Sequence, residues 1–426
     1  MVKTQLIAAG IVNAVLHGGN LTRLLQECWQ KHPALSQQQK GAIQDFSYGA
    51  LRYHGQLAEI LANLLTKKTP DNNSIYYLLL IGLYQLLYSK SPAYTVIDQI
   101  VTASRALSSN KRIQGFVNAV LRSFIRRKES LIAKATEKEV GFYSHPQWWI
   151  NKLRTQYPQH FEAILAADNK HPPMTLRVNQ RKISIPAYQQ MLAAQDMEAQ
   201  LIWPAALLLK SPVGVDKLPG FYDGLVSVQD AGAQRAAGLL DVQPGMHVLD
   251  ACAAPGGKSA HLLELADLSL TILDNDEDRL ALVRQNLLRL QLQAAQIICG
   301  DAATPDAWWN GRPFDRILAD VPCSASGVVS RHPDIKWLRR ESDLKKFAAG
   351  QYAILNALWQ ILARNGKLLY VTCSIFHEEN KLQVAQFMQQ YPDAHLLALS
   401  DPMIPNGQLL PDMYHDGFFY ALLQKH

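Results

Sequence analysis

Apolar positions in the first 140 residues recur at three- and four-residue spacing, in Ile7–Val15, Leu21–Trp29, Phe46–Leu65, Tyr76–Tyr88, Val96–Ala106 and Phe116–Ile125. Such spacing puts the apolar side chains on one side of a helix, so the region reads as an all-α module of five to seven short helices. Gly18-Gly19, Pro33, Pro70-Asp71-Asn72-Asn73 and Ser91-Pro92 break it up. A linker is expected near Gly141–Pro146. The pattern is then mixed up to about Asp230, with a helix over Trp148–Leu165 and strand-like pieces at Met174–Val178, Leu201–Trp203 and Ala206–Leu209. From Ala231 onward the two periods alternate. Helices are predicted over Gln234–Leu240, Lys258–Leu265, Arg279–Leu290 and Leu344–Ala363, and strands over His247–Asp250, Leu270–Leu273, Gln296–Cys299, Phe314–Asp320 and Lys367–Val371. Alternation of this kind predicts a parallel sheet with helices on both faces. The chain is thus expected to be multidomain: all-α over 1–140, a small α+β segment over 145–230, and a Rossmann-like α/β domain over 231–426.

Composition narrows the class. With 426 residues, 48% hydrophobic and 18% charged, the chain has the make-up of a globular protein of two or three domains. Five scattered cysteines, an odd number, argue against a disulfide framework and for the reducing cytoplasm. There is no CxxC or HExxH, so no metal is expected. Asn13 and His17 interrupt the apolar start, which argues against a secretion signal. The run Tyr76–Leu87 is shorter than the about 20 apolar residues a membrane span needs, and it reads as a central bundle helix. Charge is uneven: residues 1–144 carry 17 basic and 8 acidic side chains, against 25 and 28 in the remainder. A cationic first module points to a polyanionic partner, with Lys111, Arg112, Arg122, Arg126, Arg127 and Lys128 as its basic surface. The same residues at helical spacing also suit a solvated face.

The order strand, small-residue turn, helix at 247–265 sets backbone N–H groups beside the carboxyl edge of the sheet, where doubly wound folds bind ligands. Asp250 ends the strand and Gly256-Gly257 allow close backbone approach. Asp274 ends the next strand, at a spacing that suits an acidic acceptor for ribose hydroxyls. The turn A-A-P-G-G-K is neither G-x-G-x-x-G nor a P-loop, since position 252 is Cys252 and not glycine. A cofactor with a nucleoside and no pyrophosphate fits better.

Two thiols sit at strand ends fifty positions apart, in Pro322-Cys323-Ser324 and Thr372-Cys373-Ser374. Enzymes that methylate an exocyclic nitrogen use Asn/Asp-Pro-Pro and an aromatic at the first of these places. Cys323-Ser324 after Asp320 points to different chemistry. Carbon 5 of cytosine is a poor nucleophile, but a thiolate adding to carbon 6 makes the ring an enamine that attacks an electrophilic methyl group. A second group must then remove the carbon 5 proton. Cys28 and Cys299 read as small buried hydrophobes, and Cys252 as either a lining of the cofactor turn or packing. In Arg331–Arg340, cationic side chains are candidates for phosphate contact and Trp337 reads as packing.

VLDACAAPGGK (248–258), DVPCSASGVVSRHPDIKW (320–337) and VTCSIFHEEN (371–380) resemble the signatures of the RNA 5-methylcytosine methyltransferases, as do SVQDAGAQ (227–234) and DGFFYALL (416–423). Residues 1–140, with FVNAVLR (116–122), resemble the helical domain of the NusB antitermination factor. The pairing is similar to that of the bacterial 16S ribosomal RNA cytosine methyltransferases. The resemblance implies a class I methyltransferase domain with S-adenosylmethionine at Cys252, Ala253, Ala254, Pro255, Gly256, Gly257 and Lys258, Asp274 at the ribose and Asp301 near the adenine. It also implies Cys373 as nucleophile, Cys323 in product release, and Asp320 and Lys258 at the base, with Asp320 on its cofactor-proximal edge. A monomer acting on 16S rRNA, with no membrane association, is the expected form. Asn275, His377 and Val321 depart from the family pattern. Transfer RNA as substrate, and a non-catalytic RNA-binding assembly factor, are the competing readings.

Overall fold

The computed structural model describes residues 2–65, 74–203, 205–404 and 406–426. The break at Pro70–Asn73 lies outside them. The chain forms two compact units. One comprises residues 1–170 with 329–341, the other 171–328 with 342–426.

The first unit is helical, and no strand occurs among its described residues. Among the described residues, eight helices lie before residue 137: Val2–Leu16, Leu21–Lys31, Gln37–Arg52, His54–Leu64, Ser74–Tyr88, Ala93–Leu107, Lys111–Arg126 and Lys128–Thr136. The periodic stretch Phe46–Leu65 is two helices, because the chain turns at Tyr53. Ser36 and Gln39 form a reciprocal capping box at the start of Gln37–Arg52. Ser74–Tyr88 is buried on nearly every side, which explains its unbroken apolar run. A Cβ on Gly49 would lie 2.0 Å from the Tyr84 ring, so only glycine lets these two helices approach so closely. The expected helix Trp148–Leu165 is also two, Gln147–Gln156 and Phe161–Asp168, separated at Tyr157-Pro158. Gly141, Ser144 and His145 are buried, so the stretch expected to link segments is itself packed.

Residues 329–341 belong to this helical unit although their chain neighbours do not. Asp334 Oδ2 accepts from Leu21 N at 3.2 Å, and Trp337 Nε1 donates to Leu51 O at 2.7 Å. Lys336 is fully buried, its ammonium donating to Arg52 O, Ser144 O and Asn169 Oδ1, each at 2.8 Å. It is therefore an internal anchor, which corrects the expectation that it meets phosphates; Trp337 packs, as expected. Burial pulls Lys336 down to about 7, opposed by Asp168 and aided by Arg52, from about 10.4 in an unfolded chain. Between those values only the unfolded chain holds the extra proton, so stability rises with pH across that window. The melting temperature of the parent should accordingly gain on that of Lys336→Met as pH is raised from about 7 to about 10. Parallel curves would contradict this.

The described residues of the second unit form two sheets. β1 (Thr175–Val178), β2 (Ala199–Trp203), β3 (Ala206–Leu209) and β4 (Val226–Val228) form an antiparallel sheet in the order β2-β3-β1-β4. The helix Ile185–Ala193 packs on it through Tyr188 and Leu192. The larger sheet holds β5 (His247–Asp250), β6 (Ser269–Asp274), β7 (Gln296–Cys299), β8 (Phe314–Asp320), β9 (Leu362–Thr372), β10 (Ala394–Leu397), β11 (Gln408–Leu409) and β12 (Phe418–Lys425). Its order is β10-β12-β9-β8-β5-β6-β7, with β11 also on β12. Strands β5 to β9 are parallel, while β12 runs antiparallel to β9 and to β10. Successive residues face opposite cores. Val248, Leu318 and Leu369 meet helices Gly257–Leu265 and Glu277–Leu290, while Leu249, Ile317 and Leu368 meet helices Asp343–Ile361 and Lys381–Gln390. Both faces are covered, hence the near-continuous aliphatic strands.

Candidate active site

The four residues of β5 are buried, and the strand stops at Asp250. Ser259, one turn into the following helix, donates Oγ–H to Asp250 Oδ2 at 2.6 Å, tying strand end to helix start. Burial raises the Asp250 carboxyl to about 7 against the opposing hydroxyl of Ser259. Between them, Ala253, Ala254 and Pro255 lead to Gly256 at φ 92°, where an added Cβ would meet Val283 at 3.0 Å. Gly257 then opens the helix, with its own Cβ direction clear to 3.6 Å.

Asp274 closes β6 and is almost fully buried. Its Oδ2 accepts from Ala254 N at 2.9 Å and its Oδ1 from Asp276 N at 3.2 Å, so the carboxylate fastens the turn to the neighbouring strand. A cleft at this edge is lined by Cys252, Asp274, Asn275, Arg279, Asp301 and Pro322, among others. The sheet thus brings Cys252, Asp274 and Asp301 to one cavity. Arg279 joins them without a sequence expectation: it donates to Ala254 O at 2.5 Å and reaches Asp274 at 3.4 Å. Its position two residues inside a helix whose first turn is acidic gives no hint of this. Asp301 is exposed, and its backbone carbonyl accepts from Trp308 Nε1 at 2.8 Å.

The two thiols meet because β8 and β9 are adjacent and parallel, with Asp320 opposite Val371. Pro322-Cys323-Ser324 and Thr372-Cys373-Ser374 therefore leave the sheet at the same level, and the Sγ atoms lie 3.3 Å apart. Cys323 is buried and Cys373 half-buried. The sulfur of Cys373 and then burial push the Cys323 thiol well above its ordinary range, with Glu379 adding to the shift. Lys258 Nζ donates to Asp320 Oδ2 at 2.6 Å and lies 5.5 Å from the Phe418 ring centre. Burial pulls the Lys258 ammonium down, but Asp320 chiefly, with Cys373 and Asp250, outweighs it and the net shift is upward. Lys258 and Asp320 are thus paired. Cys28 is buried as expected, whereas Cys299 is exposed at the open end of the sheet on β7.

The loops are knotted by a residue that pattern reading passes over. Glu379, fully buried, accepts from Ser324 N at 2.7 Å, Ser324 Oγ at 2.5 Å, Ser374 Oγ at 2.5 Å and Gln351 Nε2 at 3.0 Å. Asn380 Nδ2 donates to Ser374 O at 2.8 Å, and Thr372 Oγ1 donates to Asn380 Oδ1 at 2.6 Å. The only sequence cue is the Glu-Glu-Asn run shortly after Cys373.

Among the described residues no group of three or more His, Cys, Asp or Glu is placed to hold a metal, and no helix is long and apolar enough to cross a membrane.

The profile of the family described as "16S rRNA methyltransferase RsmB/F" matches residues 237–424; a ferredoxin-like domain of the same proteins matches 145–216, and the NusB family matches 2–126. The chain is 45% identical to ribosomal RNA small subunit methyltransferase B of Vibrio cholerae, over 90% of this chain and 89% of that protein. It is 43% identical to the protein of that name from Pasteurella multocida, over 100% and 96%. A crystal structure of a methyltransferase homolog protein from Pyrococcus horikoshii is 27% identical, with a TM-score of 0.59 over 67% of this chain and 97% of that one. At this identity and coverage, with a helical first region and a mixed methyltransferase sheet behind it, the chain belongs to the RsmB/F family of 16S rRNA methyltransferases.

Proposed function

We propose that the protein methylates carbon 5 of a cytosine in 16S ribosomal RNA through a transient covalent bond between Cys373 and carbon 6 of the base. The observation that carries this reading is the pair of sulfurs 3.3 Å apart at the ends of adjacent parallel strands. The family is S-adenosylmethionine-dependent, and that cofactor, when bound, supplies the electrophilic methyl group. The cleft beside the 252–258 turn fits a nucleoside: Asp274 offers acceptors for ribose hydroxyls, Asp301 lies at the same cavity, and Gly256 and Gly257 leave the backbone close.

Cys373 is the more accessible thiol, which suits it to attack. As its sulfur bonds to carbon 6, the ring gains electron density at carbon 5, where the new carbon–carbon bond forms. Lys258 and Asp320 hold the base by its polar edge. Cys323, once it has given up its own proton, takes the carbon 5 proton as a thiolate; the C–H electron pair restores the double bond between carbons 5 and 6, and the Cys373 sulfur leaves as thiolate with the C–S pair. The Cys373 sulfur is the leading cause of the high pKa of Cys323, so alkylating it weakens that cause while burial and Glu379 remain.

The basic face of the helical unit is the proposed RNA-binding surface. Lys111, Arg112, Arg122, Arg126 and Arg127 are exposed on one helix and its end. Reversing Arg112, Arg122 and Arg126 to Glu should weaken 16S rRNA binding. It should also flatten the salt dependence by about 0.7–0.9 in log–log slope for each phosphate no longer neutralised. Unchanged affinity and slope would refute the assignment. A cytoplasmic monomer completes the reading. Mapping 5-methylcytosine in cells lacking the protein tests the substrate: loss at one 16S position supports it, and loss confined to transfer RNA, or at no position, overturns it.

A further inference from the structure

The two reactive loops have no covalent link and are fifty residues apart, yet the proposed chemistry needs their sulfurs in register. Direct bonds link them, Gly327 N donating to Cys373 O at 2.8 Å and Ser324 Oγ lying 3.2 Å from Ser374 Oγ, and one buried carboxylate ties both serines at once. Glu379 lies in a 3₁₀ turn, His377–Glu379, and its own backbone is pinned by Tyr370, whose hydroxyl donates to Glu379 O at 2.7 Å. One oxygen takes Ser324 N and Gln351 Nε2; the other takes both serine hydroxyls. Each of those serines directly follows a cysteine. Burying a carboxylate is costly, and four donors offset the lost hydration here. An apolar side chain would satisfy none of those donors.

We infer that Glu379 is the positioning residue for the reaction, holding Cys323 and Cys373 at working distance by gripping the serine after each. The inference rests on the two-thiol reading above. Glu379 touches neither sulfur through a hydrogen bond; it acts through Ser324 and Ser374, with Ser326 Oγ bracing the arrangement 3.0 Å from Ser374 Oγ and accepting from Ile375 N at 2.9 Å. A displacement of about 1 Å at a reacting group costs on the order of 10²-fold in rate. The step that suffers is the one requiring both sulfurs, release of the methylated base. Glutamine is close in shape: its carbonyl can serve Ser324 N and Gln351, and its amide can donate to hydroxyls that rotate to accept.

The test is a single-turnover assay with 16S rRNA and S-adenosylmethionine, following formation and decay of the denaturation-resistant protein–RNA adduct. Glu379→Ala should form adduct and release it about 10²-fold more slowly, with cofactor affinity unchanged. Glu379→Gln should restore most of the release rate, and the Ser324→Ala/Ser374→Ala double variant should mimic Glu379→Ala. Combining all three changes should add little, since they break one linkage. Release at the parental rate in Glu379→Ala, or Glu379→Gln folded yet as slow as Glu379→Ala, overturns the inference. Should Glu379→Ala not fold, the serine double variant decides: slow release supports the role and parental release refutes it. Cys323→Ala is run alongside. If it traps no adduct, the two-thiol reading falls and takes this inference with it. If it traps adduct while the Glu379 and serine variants behave as the parent, only the inference falls.

Discussion

Cys373→Ala is expected to lower methyl transfer by about 10⁴-fold or more, the scale of losing a covalent nucleophile, while cofactor binding stays as in the parent. The separation follows from the layout. The proposed cofactor cleft is built on the turn after β5 and the end of β6, whereas Cys373 lies beyond β9, on the other side of β8. In the proposed chemistry, removing the sulfur takes away the step that makes carbon 5 electron-rich, and Lys258, committed to Asp320, and Cys323, whose thiol pKa is raised, do not replace it. Calorimetry with S-adenosylmethionine and a methylation assay on 16S rRNA check the two halves. Parental turnover in the variant would refute the chemistry, and abolished cofactor binding would mean that the substitution acts on structure.

The largest stability effect is expected at Arg177. Its guanidinium is nearly inaccessible and makes a two-pronged pair with Glu264, at 2.9 and 2.8 Å, then reaches Gln229 Oε1 and Gly257 O at 2.5 and 2.8 Å. It thus fastens β1 of the small sheet to the helix that begins at the cofactor turn. Removing one partner strands a buried charge, so Arg177→Met should cost about 3–5 kcal/mol. In a unit of this size that lowers the melting temperature by roughly 6–20 °C. Adding Glu264→Met should recover much of the loss, because the unpaired charge goes with it. Because Gly257 O loses its donor, cofactor affinity of Arg177→Met should fall even where the protein is folded. A melting temperature equal to the parent's would show that the pair contributes nothing net.

How far sequence pattern reaches is instructive at particular residues. β5, β7 and β8 fall on the predicted residues, since short aliphatic runs between polar turns leave little choice of ends. The strand end that carries Cys323 and the β9 end that carries Cys373 are legible, because strand order in an alternating α/β chain limits where such ends lie. Pro158 is a visible stop signal inside the expected helix Trp148–Leu165, and it outweighs the apolar spacing that runs across it. β12, β10 and the helix Lys381–Gln390 escape pattern reading: an apolar run such as Phe418–Leu423 takes its identity from pairing with β9, a partner about fifty residues away. Lys336 looks like a cation for phosphate, and its burial is decided by carbonyls of Arg52 and Ser144 far off in the chain. Glu379 is out of reach for the same reason, as its role exists only once two distant Cys-Ser pairs have converged. Local pattern names the elements and the candidate side chains; convergence of remote segments decides what holds them.

The most direct test is to incubate the Cys323→Ala protein with 16S rRNA and S-adenosylmethionine, digest the mixture under denaturing conditions and find the nucleotide-bearing peptide by mass spectrometry. The account predicts one peptide, containing Cys373, carrying a methylated cytosine nucleotide. Adduct on any other residue, or full release of methylated RNA with no adduct at all, would contradict it.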